Sequence, residues 1–392
     1  MKGDFSRFPY RRSAHYESVL LQQGRVSVDA DWNEQAVASS SMMRQLIVDL
    51  IGWHGAPTSR SGGFEVSASD GTITVGGGTY YVDGIRCSTA TPVEIELPND
   101  DRYLAYLEVW EHQAGVVEDP SLLDPALGGG DTSVRVEVAH RVYVVPVESN
   151  EMEPKAARTR REFRRTLRRL GVIRARSEMP ALEVGSGDGP GVDPQGGYAG
   201  SENHLYRIEV HQGSDDGGAT FKWSRSNGSE AWRITEVSGV TVSLSVGRTT
   251  PASGDWVEVE GRDGDSSAHF SRVEQVAAAG AALEVTLSDP PSERVAADAV
   301  VLRSWDGPLQ QAASDVWIDI EHGLRIRFND GSLRSGDYWV IAARAGSGII
   351  DWPHGCAVPP LGVERHHAPL AVIEPGGRVR DLRRRFAPLS SA

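Results

Sequence analysis

From Gly63 onward one texture dominates this sequence: short runs of Val, Ile, Tyr and Trp alternate with polar residues and are broken by Gly, Asp, Ser or Thr. GTITVGGGTYYVDGIRCS (Gly71 to Ser88) is typical, with a two-residue period around Ile73, Val75, Tyr81, Val82 and Ile85. That period places successive side chains on opposite faces of a strand. At Asp83-Gly84 the chain meets a pair that tolerates positive φ, as a tight hairpin turn requires. The texture recurs in RYLAYLEVWEH, SVRVEVAHRVYVVPVE, HLYRIEVHQ, ATFKWSRSN, VTVSLSVG, GDWVEVEG, ALEVTLSDPP and AVVLRSWDG. The fold class is therefore mainly β, a multi-module chain of small barrels or sandwiches behind an N-terminal extended arm and helix.

At 392 residues the chain has length for roughly two to four domains. The pattern divides into an arm and helix (1–60), a β module (61–150), a basic helix and Gly-rich linker (151–200), a barrel-like module (201–305), and a further β module with a tail (306–392). The helix is expected from Trp32 to Ile51, with Ala36, Met43, Ile47 and Leu50 on its apolar face and Gly52 ending it. SGDWVEVE (Ser253 to Glu260) is echoed by SGDYWVIA (Ser335 to Ala342).

Charge and cysteine content exclude several classes. From Lys155 to Arg176 ten Lys/Arg face one acid, Glu162, so this stretch is +9 and the rest of the −14 chain is −23. An acidic body repels nucleic acid and membrane surfaces, so neither is expected as a partner. No stretch reaches the roughly 18 apolar residues of a membrane span, and the N-terminus has no signal-peptide core. A cytoplasmic protein is expected. Cys87 and Cys356 form no CxxC, which gives no support to a zinc knuckle or a disulfide framework.

The stretch GRVSVDADWNEQ holds Asp29, Asp31 and Asn33 with the spacing that opens a calcium loop. Glu34 then stands where such a loop needs Gly, and Ser40 where it needs a bidentate carboxylate. Asp31 with Glu34 fits a helix capping box instead, typically worth ~1 kcal/mol. His366-His367 would point to opposite sides of a strand and cannot share one metal without a bend. Arg161, Arg165, Arg168 and Arg169 form a cationic helix face suited to docking on an acidic partner. Of the tryptophans crowding the second half, Trp232 and Trp352 are candidates for contact with glycans. There is no GxSxG, HExxH or GxxxxGK[ST], and carboxylate pairs such as Asp215/Asp216 and Asp263/Asp265 sit in Gly-rich turns. No catalytic residues, cofactor or metal are expected.

MKGDFSR at the start, His15-Tyr16 and QQGRVSVDADWNEQ together resemble the N-terminal signature of an uncharacterised family encoded in gene clusters of contractile injection systems and phage-tail-like particles. LEVWE, EDPSLLDPALGGGDT, ATFKWSRSNGS, GLRIRF, SGDYWVIAARA, HHAPLAVI and RDLRRRFAPL extend the resemblance along most of the chain. It implies a structural or accessory subunit at the baseplate periphery or tail fibre, not an enzyme. Its partners would be other subunits of the assembly, and it would be a homo-oligomer, trimeric by analogy with fibres. The arm (1–30) and the loop at 113–132 would be ordered by those neighbours, since alone they bury too little to offset the entropy of ordering. Two other classes stay open: a glycan- or surface-binding module using exposed Trp, and a hydrolase with dispersed carboxylates.

Overall fold

A computed structural model describes residues 2–6, 16–58, 63–127, 131–148, 159–174, 179–186, 197–214, 217–245, 247, 249–261, 268–280, 282–353 and 356–387. The protein is mainly β, built as three modules nested one inside another. Each inner module interrupts the strand order of the one around it.

The outermost module opens with the helix α1, Asp29–Ile51, followed by the strands His54–Pro57 through Arg135–Pro146. Its centre is Tyr103–Ala114, whose first eight residues are all buried, which explains the near-continuous apolar run YLAYLEVW. One neighbour is Arg135–Pro146, paired over the whole length from Tyr103↔Pro146 to Ala114↔Arg135. The other comes from the far end of the chain: His366–Ile373 runs antiparallel to it, from His366↔Val109 to Ile373↔Tyr103. Pro369, which has no amide proton for the ladder, stands where the register shifts in a bulge. Arg385–Phe386 also returns, parallel to His54–Pro57. Residues 366–386 therefore complete the first module and do not belong to a separate C-terminal one.

A second helix, α2 (Arg160–Arg169), closes that core. Phe163 and Leu167 enter it fully buried, and Leu170 packs against it. Thr159 accepts from the Glu162 amide while Glu162 reaches back to the Thr159 amide, a capping box. At Val82-Asp83-Gly84-Ile85 the expected tight turn is present, with positive φ at both Asp83 and Gly84.

The middle module has two sheets over one core. In one, Thr220–Ser224, His204–Gln212 and Tyr338–Arg344 lie side by side; in the other, Leu182–Ser186, Leu324–Phe328 and Trp317–Glu321. Strands from residues 182–224 and 310–351 are thus one unit, and a boundary at 305/306 does not separate domains. The Gly-rich linker at 185–197 runs into this unit through Leu182–Ser186; its residues 187–196 lie outside the described set.

Innermost is a closed barrel of six strands, in the order Ala231–Ser238, Thr241–Ser245, Ala282–Leu287, His269–Ala279, Trp256–Gly261, Ala299–Trp305. Val242, Leu244, Val257, Val259, Val285 and Leu302 fill it, every second residue as the alternation requires. The short helix Glu293–Asp298 (α3) adds Val295 to this core. The barrel begins at Ala231, so HLYRIEVHQ and ATFKWSRSN belong to the middle module.

The SGD echo is a turn. Asp255 accepts from the Ala252 amide at 2.7 Å and Asp337 from the Arg334 amide at 2.9 Å, each closing the turn before a strand. Both turns carry a positive-φ glycine, Gly254 or Gly336.

Candidate functional site: a charged seam between modules

The barrel's outer wall meets the sheet of the middle module through charge. In WVEVE the valines point into the barrel, while Glu258 and Glu260 point out and are nevertheless buried. They face Arg207, Glu209 and Lys222 from the neighbouring sheet. Lys222 is ion-paired with Glu258, lies 3.2 Å from Glu209, and stacks over the Trp305 ring at 4.5 Å. Arg303 grips both oxygens of Glu260 at 3.1 Å and donates to the Gly228 carbonyl at 2.5 Å. Trp305 and His211 add contacts to Glu258, each at 3.2 Å.

The first residues of the chain complete this seam. Lys2 reaches Glu260 at 2.5 Å and Glu209 at 3.7 Å. Asn227 holds Gly3 by both its backbone oxygen and its side-chain amide. Residues 2–6 are therefore held by contacts within the chain. Part of the loop expected at 113–132 is tied down as well: Arg233 donates to the carbonyls of Val117 and Glu118, and Glu118 lies 3.7 Å from Arg303.

The electrostatics of the seam are those of a lock. Burial alone would raise the carboxyls of Glu209 and Glu258. Instead Arg207, Lys2 and Lys222 hold Glu209 well below its ordinary value, and chiefly Lys222 does the same for Glu258. Burial likewise opposes the charge on Lys222, and Glu258 and Glu209 more than restore it. A general acid needs a raised carboxyl, and these two are driven the other way.

A cavity of about 760 Å³ adjoins the seam and separates it from α2. Its far wall is cationic, with Arg160, Arg164 and Arg174. Arg160 pairs with Asp83 at 2.7 Å, and Arg174 clamps Asp337 through two bonds of 2.6 and 2.7 Å. The Arg164 guanidinium is held below its ordinary value by burial and then by the like charges of Arg160 and Arg168. Part of the basic stretch thus docks on the chain's own acidic residues. Arg161, Arg165, Arg168 and Arg169 sit on the exposed side of α2.

The other expected residues fall elsewhere. Helix α1 starts at Asp29, three residues before the expected Trp32, and its N-cap is Val28, with no side-chain cap bond. Asp31 and Glu34 lie inside the helix and do not cap it. Asp29 and Asp31 still stand in its first turn, where the helix dipole favours acids. Trp232 is a barrel-core residue whose indole donates to the Thr249 carbonyl, so it cannot present a face to a glycan. Trp352 is half-buried against the middle core and donates to the Cys356 carbonyl. Among the described residues only Trp32 and Trp317 are exposed tryptophans. His366 and His367 do point apart, one to Asp83 at 2.8 Å and the other to Glu108 at 2.9 Å. No group of three or more His, Cys, Asp or Glu among the described residues is placed to hold a metal ion. No described helix is long and apolar enough to cross a membrane. Asp215/Asp216 and Asp263/Asp265 lie outside the described residues.

Sequence reading missed the seam because WVEVE, FKW and YRIEV each look like half-solvated strands. The available signal was charge: acids alternate in WVEVE, and Lys222 and Arg207 stand in strands of the module that proves adjacent.

A nested, mainly-β chain whose modules are locked by buried ion pairs is the class that the fold and site define. Within it, the chain belongs to a family of unknown function (DUF6519), whose profile matches residues 1–99 and 149–392. The unmatched stretch contains the long hairpin Tyr103–Ala114 and Arg135–Pro146. No curated protein and no solved structure matches the chain.

Proposed function

We propose that this chain is a structural or accessory subunit of a contractile injection system or phage-tail-like particle, at the baseplate periphery or tail fibre. It acts in the cytoplasm as an oligomer among other subunits and performs no chemistry of its own. The sequence motifs of the N-terminal signature motivate this reading. The structural observation that carries it is the uncovered apolar surface of residues 16–50. Leu20 is 85% exposed and Val26 is 87% exposed, with Tyr16, Leu21, Trp32 and Met43 exposed beside them in sequence. Apolar surface gathered on one segment marks a place that another chain covers. The charged seam supports the same reading, since its ionisable groups are spent on holding modules together.

The test is incorporation. The arm variant Leu20→Asp/Val26→Asp spares Lys2 and the seam. It is expected to stay folded with an unchanged melting temperature, yet to be missing from particles purified from the native host. Incorporation at the wild-type level would overturn the reading, as would particles that lack the wild-type chain.

A further inference from the structure

Helix α1 presents its regular face to solvent. Of the expected apolar positions, Ala36, Met43 and Leu50 are exposed and Ile47 is half-buried. Its packing against the body comes from the opposite side, while Asp29 and Gln35 accept from the arm amides of Ser6 and Val19. Ala30 and Ala38 are its only buried residues, and Arg44 pairs with Glu111. At Gly84 an added Cβ would stand 2.4 Å from the Arg44 carbonyl, so the helix rests directly on that turn.

Among the exposed residues, which also include Val37, Ser40 and Met42, six keep a strict spacing. Trp32, Ala36, Ser39, Met43, Leu46 and Leu50 follow one another by 4, 3, 4, 3 and 4 positions, and all six are exposed. Trp32 is 69% exposed, Met43 57%, Leu46 52% and Leu50 62%. Alternating steps of three and four make a 3.5-residue repeat, the a and d positions of a coiled coil. Of the residues that touch the rest of the chain, Ala30, Ala38 and Arg44 occupy b and c positions of the same heptad, while Gln35, at a g position beside the seam, accepts from the Val19 amide at 2.7 Å. The seam is thus turned away from the body along a helix of about 34 Å.

We infer that α1 is the interface through which copies of this chain associate, as a coiled coil of two or more α1 helices. A 3.5-residue seam fits a helix with the same repeat, and the chain supplies one in every copy. Charge favours the same occupant. The chain carries a net −14, so most faces of two copies repel. The e and g positions beside this seam are Asn33, Ser40, Ile47, Gln35, Met42 and Asp49, with one charge among them. Identical helices meet there without a row of like charges. Exposure agrees too: Trp32, Met42, Met43, Leu46 and Leu50 are each more than half exposed, a contiguous apolar face that a second copy would cover. The small Ala36 and Ser39 beside Trp32 leave room for its indole to lie along the seam. For its purpose the inference rests on the assembly reading; for its evidence it rests on α1 alone.

Sedimentation of the full purified chain tests it at micromolar concentration. The wild type is expected at a whole multiple of 42.4 kDa. Leu46→Glu/Leu50→Glu is expected to shift fully to a single chain with its circular dichroism unchanged. Val136→Glu, an exposed apolar position on the long hairpin, is expected to keep the wild-type mass. A monomeric wild type, an oligomer that survives the double change, or dissociation by Val136→Glu would each overturn the inference. Incorporation separates this from the reading above. A monomeric wild type still found in particles sinks the seam alone, whereas a self-associating chain missing from particles sinks the subunit role alone.

Discussion

The two longer helices end up in opposite situations. Helix α2 is short, ten residues, most of them arginine, and by composition a poor candidate for burial. Yet it is finished by its own chain: a capping box starts it, Phe163 and Leu167 anchor it, and Arg160 pairs it to Asp83. Helix α1 is more than twice as long and richer in apolar residues, but only Ala30 and Ala38 are buried and nothing caps its start. Burial follows from where the apolar side chains point, not from how many there are. Two residues four apart on α2 suffice because the gap between the sheets is shaped for them.

The largest expected effect lies at that anchor. Leu167→Ala removes a fully buried side chain and leaves a cavity that the surrounding strands cannot close, at a cost of about 2–5 kcal/mol. Urea denaturation followed by circular dichroism reads this directly. A loss below about 1 kcal/mol would mean that α2 is held by its arginine pairs and that the contrast with α1 is misplaced.

Acid tests the same seat. Trp53, whose ring centroid lies 5.7 Å from that of Phe163, is followed by the buried His54, whose Nδ1 lies 2.9 Å from the Tyr80 hydroxyl. Burial and then the Arg384 charge push the imidazole down from 6.5 to about 3, with Asp83 opposing more weakly. The folded state keeps it neutral while the unfolded chain takes up a proton near 6.5. Stability is therefore complete above pH 6.5 and falls between 6.5 and about 3. By pH 4.5 the loss from this group is about 2–3 kcal/mol. The depressed Glu209 and Glu258 act in a separate window, below the ordinary carboxylate value of 4.5. Melting curves from pH 7 to 4.5 should show the fall in the wild type and a smaller one in His54→Gln. Equal slopes would remove His54 as the cause.

How much of this could be read in advance depends on the distance over which each feature is encoded. The Asp83-Gly84 turn and the barrel strands TVSLS and WVEVE are written within a few residues, by alternation and by tolerance of positive φ. Nesting is not local. Nothing in HHAPLAVI tells it to lie against YLAYLEVW some 260 positions earlier, and the cut at 305/306 divided strands that share one sheet. The seam was hidden for a related reason: alternating acids in WVEVE signal water unless the opposing cations are known to be near. The cap was the opposite case. The sequence offers its signature at Asp31 and Glu34, ahead of the longer apolar pattern, but Thr159-Arg-Arg-Glu162 is where it forms.

That last difference gives the smallest effect and the cleanest pair. Thr159→Ala removes a side chain that accepts from the Glu162 amide at 3.2 Å, leaving one of the first-turn amides of α2 to water. The expected cost is about 1 kcal/mol, within the usual range for losing a cap. Glu34→Ala, the same kind of truncation near the start of α1, breaks no cap bond, because the helix has already run for five residues before it. It should change stability by less than about 0.5 kcal/mol, as an ordinary surface substitution does. Measured side by side in urea, the two variants should separate in that order. Equal losses, or a larger one at Glu34, would mean that α1 draws on its first turn for stability as α2 does, and that its exposed face is not what distinguishes the two helices.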